Sequence, residues 1–383
     1  MRERLLIVGG SVRAAAMSAR RAGFKPLAID RFMDADLRHV CSNFRQYDDL
    51  RQLPQLAREL PTADWMFTGP LENYPRLIGE IGMDRALLGC TAASLHRVRD
   101  PETLTTTLRQ AGLQVPQFGS SLPVPGGWLR KPLLAAGGFG VERLESHQSN
   151  NHDTGRDRGA YYQEFISGSS VGATFIAANG QSILLGATEQ LAGHSWGAAR
   201  EFQYVGSVGP IALSDEQRGQ LSKIGSCIAA NFTFSGLFGV DAVVNDEGVW
   251  PVEVNPRYTA SVEIHERALN VATIRWHVAA CRHGQLPAVA TCTPRQSALE
   301  LHGKAIVYAT KDTFIDARIH VGLAANHHEE ADPILADIPM LGAQIKRGDP
   351  IATVFAHGKT LAETKERLRS QMDRLTHLVV HDD

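Results

Sequence analysis

The stretch LFGVDAVVNDEGVWPVEVNPRY, residues 237–258, is two apolar runs separated by a polar turn. Asp241 closes the first run, Asp246-Glu247-Gly248 reads as a hairpin turn, and Glu253 and Asn255 lie on the returning strand. Strand alternation puts Glu253, Asn255 and Arg257 on one face, at i, i+2 and i+4. Two carboxylates and an amide oxygen are hard ligands, so Asp241, Glu253 and Asn255 suit one or two Mg²⁺ ions, with Arg257 beside them. The same spacing also describes the polar face of an ordinary hairpin, so the neighbouring motifs decide between the two readings.

Upstream, Lys131 precedes Ala135-Ala136-Gly137-Gly138-Phe139-Gly140. Gly137, Gly138 and Gly140 let the backbone bend over a phosphate chain with its N–H groups turned inward, and Lys131 adds a point charge. No Gly-Lys-Ser/Thr follows, so this is not a Walker A loop, and glycine clusters also serve as plain turns. Next, Gln163-Glu164-Phe165-Ile166 stands on an apolar strand, where Glu164 and the backbone of Phe165 and Ile166 could face an adenine edge. A glutamate at a strand end is otherwise a solvated rim residue.

The flanking regions frame these motifs. The first 95 or so residues alternate strands (RLLIVGG, FKPLAID, ADWMFTGP) with helices (SVRAAAMSARRAG, DLRQLPQLARELP), which predicts a parallel sheet covered on both faces. Gly9-Gly10-Ser11 after the first strand reads as an anion-facing turn or a plain tight turn, not as GxGxxG. A single connecting helix is expected over TAASLHRVRDPETLTTTLRQAG, an exposed loop over 146–159, and a hairpin turning at Asn179-Gly180. A helix is expected over 216–232, one continuous helix over roughly 260–282, and a smaller mixed unit from about residue 297 onward.

Composition excludes several classes. With 43% hydrophobic and 21% charged residues in 383, the chain can bury a large core across two or three domains. A formal charge of −2 provides no field for nucleic acid or an anionic membrane. No apolar run reaches the ~20 residues of a membrane span, and Met1-Arg2-Glu3-Arg4 leads straight into a strand without a signal-peptide pattern. Five cysteines, Cys41, Cys90, Cys227, Cys281 and Cys292, include no CxxC pair, which points to small buried residues and a reducing cytoplasm.

The order lysine, glycine loop, QEFI strand, D…E-x-N-x-R hairpin, across residues 97–265, resembles the ATP-grasp superfamily, most specifically in PVEVNPRYTASVE. Within it the chain looks like the predicted ATP-dependent carboligases related to biotin carboxylase. The resemblance implies an α/β and α+β chain of three units: a Rossmann-like pre-ATP-grasp sheet over 1–95, an ATP-grasp domain over 96–292 with its lid at about 118–166, and a C-terminal mixed α/β domain over 293–383. It implies ATP between two subdomains, Lys131 on its phosphates, and Gly137, Gly138 and Gly140 as the lid. Gln163, Glu164, Phe165 and Ile166 would then hold the adenine, and Asp241, Glu253 and Asn255 would hold Mg²⁺ (or Mn²⁺). Arg257 would stabilise charge on an acyl phosphate or tetrahedral intermediate. The chain departs from the pattern twice. Pro101 follows Asp100 where a second lysine is usual, leaving Arg97 or Arg99 to supply the charge, and Ser169 and Ser170 replace the ribose-binding glutamate.

Such a site activates a carboxylate with the γ-phosphate of ATP for attack by an amine, and needs no side-chain nucleophile. The expected acceptor pocket comprises Glu72, Asn73, Glu189, Tyr204, Ser207 and Tyr258, with His194, Trp196 and Arg200 on a loop able to close over it. Small-molecule carboxylate and amine substrates are therefore the expected partners, with a homodimer as the candidate assembly. The resemblance also suggests a step in building a one-carbon carrier of the methanopterin or methanofuran type. Two rivals stand beside amide ligation: bicarbonate activation as in biotin carboxylase, and a nucleotide-binding protein without catalysis.

Overall fold

The computed structural model describes residues 2–120, 127–144, 159–289, 300–325 and 334–380. Most of the expected polar loop at 146–159, and Cys292, lie outside the described residues. Three substantial sheets carry the architecture. The first is parallel, with strands ordered Asn43–Gln46, Lys25–Asp30, Arg4–Gly9 and Asp64–Phe67. Leu5, Leu6, Ile7 and Val8 are wholly buried, as a continuous apolar strand with helices on both faces requires. The edge strand Asn43–Gln46 was not legible, since its four residues are half-buried or exposed and carry no alternation.

The second sheet is small and antiparallel, ordered Phe118–Gly119, Ala160–Glu164, Trp128–Pro132, Glu142–Leu144. It holds Lys131 on one strand and Gln163 and Glu164 on its neighbour, with the glycine-rich loop between Pro132 and Glu142. The third is an eight-stranded antiparallel sheet ordered Gly248–Asn255, Gly236–Asn245, Ser169–Ala178, Gln181–Ala192, Tyr204–Gly209, Leu301–Tyr308, Pro350–Gly358, Leu335–Ala336. Strands from both sides of residue 293 thus share one sheet, joined where Gly206 pairs with Ala305.

Two expected helices are each broken in two. The connecting segment forms Ala92–Val98 and Pro101–Gln110, because Pro101 cannot continue a helix and Asp100 instead caps the second one, its carboxylate accepting from Thr103 N at 2.9 Å. The segment after the hairpin forms Ala260–Leu269 and Thr273–His283, separated where Asn270 takes φ 49°, a left-handed stop that asparagine tolerates. Helix Asp215–Phe232, capped reciprocally by Ser214 and Gln217, packs against the central sheet through Leu221, Ile224, Ile228 and Phe232. No helix among the described residues is long and apolar enough to cross a membrane.

The broken helix places two histidines in the core. His277 accepts from Leu237 N at 2.9 Å and faces Leu88 O at 3.1 Å, whereas neither ring nitrogen of His265 has a hydrogen-bond partner among the described residues. Burial lowers both from the ordinary 6.5 to about 4. The unfolded chain therefore takes up these protons first as pH falls, so stability present above pH 6.5 is lost between about 6.5 and 4. His265→Leu is expected to flatten that acid-side loss in a pH series of thermal unfolding midpoints, by on the order of 3 kcal/mol between pH 7 and 4. An unchanged slope would show that His265 carries none of it.

Candidate active site

The hairpin Gly236–Asn245 and Gly248–Asn255 closes through a two-residue turn at Asp246-Glu247, and pairs Asp241 directly with Glu253. Past that pair the register shifts, so Ala242 faces Pro251 and Val252 has no partner across the strand. The bulge leaves the Val252 carbonyl free of the ladder, and it accepts from Lys131 Nζ and Gln163 Nε2, each at 3.2 Å. A strand irregularity absent from the simple alternation thus ties the hairpin to the small sheet.

Around this tie the charges converge. Arg99 Nη1 donates to Glu253 at 2.6 Å, and Arg99 Nη2 to Asn73 at 2.8 Å and to Ala135 O at 3.3 Å. Lys131 also donates to Gln163 Oε1 at 3.1 Å and lies 5.7 Å over the Tyr161 ring. Asp241 accepts from Gln190 at 2.7 Å and from Asn255 at 2.9 Å, and Ser170 donates to Gln190 at 2.7 Å. Arg257 joins Glu72 at 2.7 Å and Asn255 Oδ1 at 3.1 Å. These groups and the cleft lined by Arg99, Lys131, Ala136, Gly138, Gln163 and Glu253 bring two sheets and the N-terminal unit to one point.

The electrostatics set the two carboxylates apart. Burial, and then the Glu253 charge, push Asp241 up to about 6. Burial also opposes the Glu253 charge, but Arg99, Lys131 and Arg257 outweigh it and hold Glu253 below the usual carboxylate range. Lys131 is penalised by burial and rescued by Tyr161, Glu253 and Asp241, which leave its ammonium more basic than usual. Among the described residues no three His, Cys, Asp or Glu side chains group to hold a metal ion, so Asn255 has to supply the third ligand of the expected set. Its Oδ1 already accepts from Arg257 and its amide nitrogen faces Asp241, so binding a cation there requires the amide to turn.

Of Arg97 and Arg99, Arg99 lies in the cleft, whereas Arg97 stacks 5.3 Å over Phe232. Other expected residues are more scattered. Glu164 accepts from Gln117 N at 2.9 Å, and Phe165 donates its N–H to Gly127 O at 2.6 Å, which commits that donor to the small sheet. Glu189 pairs with Lys365, and Tyr258 is buried in the core with its hydroxyl 3.5 Å from Glu266. The hydroxyls of Tyr204 and Ser207 bond each other at 2.8 Å. Gly10 N donates to Gly69 O at 2.8 Å, so the first turn spends that amide inside the protein. His194 and Trp196 face protein neighbours, Ala198 O and Arg369 respectively.

The glycine-rich loop rests on the loop before Tyr204. Tyr204 N donates to Gly137 O at 2.9 Å, and Arg200 lies 3.7 Å over the Phe139 ring. Gly138 has φ +73°, and a Cβ there would meet Phe202 O at 1.8 Å. Gly138→Ala is expected to lift the loop, at about 1–3 kcal/mol of strain, and to slow nucleotide-dependent turnover about tenfold. Gly79→Ala, in open space on an ordinary helix, is the control for steady-state assays. Equal rates for the two variants would show that loop docking has no part in turnover.

Comparison with known proteins accords with this geometry. Residues 98–261 match the family model of the ATP-grasp domain, and the chain carries an ATP-grasp domain there. No curated protein matches the sequence. Among solved structures, the chain is similar to the biotin carboxylase domain of Hydrogenobacter thermophilus 2-oxoglutarate carboxylase, solved with MgADP, ADP and bicarbonate, at 12% identity and a TM-score of 0.73 over 97% of this chain and 90% of that one. It is similar to an L-amino acid ligase from Bacillus licheniformis at 14% identity, TM-score 0.71, over 97% of each chain. A phosphoribosylglycinamide synthetase from Anaerococcus prevotii gives 13% identity and a TM-score of 0.67 over 97% and 98%. At these identities the likeness is one of fold.

Proposed function

We propose that the protein is an ATP- and Mg²⁺-dependent ligase that joins a carboxylate to an amine through an acyl phosphate. The observation supporting this reading is the meeting of Arg99 and Lys131 with Glu253 in one cleft, with Asp241 paired to Glu253 across the hairpin and bonded to Asn255. Two cations suit the phosphate chain, and the oxygen-donor set suits a hard divalent ion. The fit to Mg²⁺ rests on chemistry present in the chain: Asp241 and Glu253 are adjacent, half-buried carboxylates, Asp241 is raised by burial and then by the Glu253 charge, and a divalent ion relieves that repulsion. Bound at Asp241, Glu253 and Asn255, Mg²⁺ would neutralise charge on the transferring phosphoryl group.

The chain's own residues divide the remaining work. Lys131, held by Gln163 and the Val252 carbonyl, would orient the phosphates, and Arg99 would balance the charge between Glu253 and the nucleotide. Arg257, fixed by Glu72, would face the substrate carboxylate. The glycine loop would exclude water while the carboxylate oxygen attacks the γ-phosphorus and ADP departs. The amine nitrogen would then attack the acyl carbon and expel phosphate. Gln163, Glu164, Phe165 and Ile166 remain the adenine wall in this proposal, with Ser170 toward the ribose.

The test is ADP release by the purified protein with Mg²⁺-ATP and a panel of carboxylate and amine pairs, glutamate among them. Release that requires both partners supports ligation. Release that requires bicarbonate and biotin instead, the chemistry suggested by the biotin carboxylase likeness, would replace this reading. Failure of every pair, together with no magnesium-dependent nucleotide uptake, would remove both.

A further inference from the structure

A second cleft runs between the carboxyl ends of the N-terminal parallel strands, the glycine-rich loop and the segment 337–353. Three buried aspartates and the half-buried Asp337 gather at its inner end, and three of the four are accounted for. Asp30 accepts the N–H groups of Val12, Phe32 and Met33 at 2.7–2.8 Å. Asp36 accepts those of Asp337 and Ile338 at 2.9 and 3.1 Å. Asp337 is held by Arg13 at 2.9 and 3.2 Å. Asp34 is different. It is only 6% exposed and its backbone carbonyl accepts from Arg38 N at 3.2 Å, but its carboxylate does not cap the helix Ala35–Val40 and accepts no hydrogen bond from any described residue, yet it lines the cleft.

A buried carboxylate without a partner is costly, and it is resolved by a proton or by a cation. Burial, followed by the charges of Asp337, Asp30 and Asp36, makes the Asp34 proton hard to lose, and Arg13 offsets this only in part. A bound cation would take the place of that proton. The walls describe the rest of the ligand. Phe32, Phe139 and Leu341 all line this cleft and are among the large apolar side chains left exposed, at 38%, 54% and 56%. Arg31 and Arg38 stand on its exposed rim, Arg38 bonded to Met33 O at 3.3 Å and stacked on Phe44. Ala136 lines both this cleft and the nucleotide cleft, so the two open onto the same loop.

We propose that this cleft binds a primary ammonium ion carried on an apolar body of aromatic size, with the ammonium donating to Asp34 and Asp337 supplying a second negative charge. Calling that ligand the amine acceptor rests on the ligase reading above; its binding does not. The pocket forecast from sequence shares only Tyr204 with these walls.

Calorimetry on the full chain tests it with 2-phenylethylamine as probe, set against N-acetyl-2-phenylethylamine and 3-phenylpropionate, with and without Mg²⁺-ADP. The amine should bind at least tenfold more tightly than either counterpart, and Asp34→Asn should erase that preference while Mg²⁺-ADP uptake is unchanged. Equal or tighter binding of the acetylated or anionic probe, no binding of the amine, or undiminished preference in Asp34→Asn would overturn the assignment. If Asp34→Asn fails to fold, the three-probe comparison on the unaltered chain still decides. Nucleotide uptake without amine binding sinks this inference alone, and amine binding without nucleotide uptake sinks the ligase reading alone.

Discussion

Glu253→Gln is expected to lower magnesium- and nucleotide-dependent turnover by about 10²–10³-fold while leaving the fold intact. Glutamine keeps the length and volume of the side chain, and its carbonyl oxygen can still accept from Arg99, so the packing around residue 253 has no reason to change. What disappears is one of the two negative charges paired across the hairpin at Asp241 and Glu253. A divalent ion held by one carboxylate and one amide is bound far more weakly than one held by two carboxylates, and charge on the transferred phosphoryl group goes less well compensated. A second readout accompanies the kinetics. Asp241, raised to about 6 by burial and then by Glu253, should titrate lower in the metal-free variant, which carboxyl carbon shifts can follow. Full turnover by a folded Glu253→Gln protein would remove the hairpin from metal binding.

Arg99→Gln is expected to cost about as much turnover, about 10²-fold or more, and to weaken nucleotide uptake as well. The guanidinium joins three parts of the chain: Asn73 at the end of the N-terminal sheet, Ala135 before the glycine loop, and Glu253 on the hairpin. Without it Glu253 loses its nearest counter-charge and moves back toward ordinary acidity, while stability falls by about 1–3 kcal/mol. Arg97→Gln is the control. Arg97 stacks on Phe232 away from the cleft, so its loss should change turnover by no more than about twofold. Should both variants behave alike, Arg99 holds the elements together and does nothing for the nucleotide.

Much of the architecture was legible because it follows from period and punctuation. LLIVGG reads as a buried strand since four consecutive apolar residues allow no exposed face, and the Asp246-Glu247 turn is announced by polar residues between two apolar runs. The breaks at Asp100-Pro101 and Asn270 were also written in the chain, as a proline at the first helical position and an asparagine able to adopt positive φ, but the apolar spacing ran through them and masked the stops. The edge strand Asn43–Gln46 carried no pattern at all; it forms because Lys25–Asp30 offers it a partner.

The candidate site divides in the same way. The choice of Lys131, Asp241, Glu253, Asn255 and Arg257 came from local spacing, and the fold brings those five side chains into one network. Whether Arg97 or Arg99 belongs with them depended on the direction in which a short helix presents each side chain, which two positions of sequence do not reveal. Asp34 and Asp337 are 303 residues apart, and neither lies in a recognisable motif.

The sequence by itself determined the order of elements and the types of group available for chemistry, because backbone preference and strand alternation act over a few residues at a time. Only tertiary structure decided which of those groups meet, which are spent on one another, as Tyr258 beside Glu266 and Glu189 on Lys365, and which are left without a partner among the described residues. Partnership between charges is a property of distance and burial, and both are set by how distant segments pack.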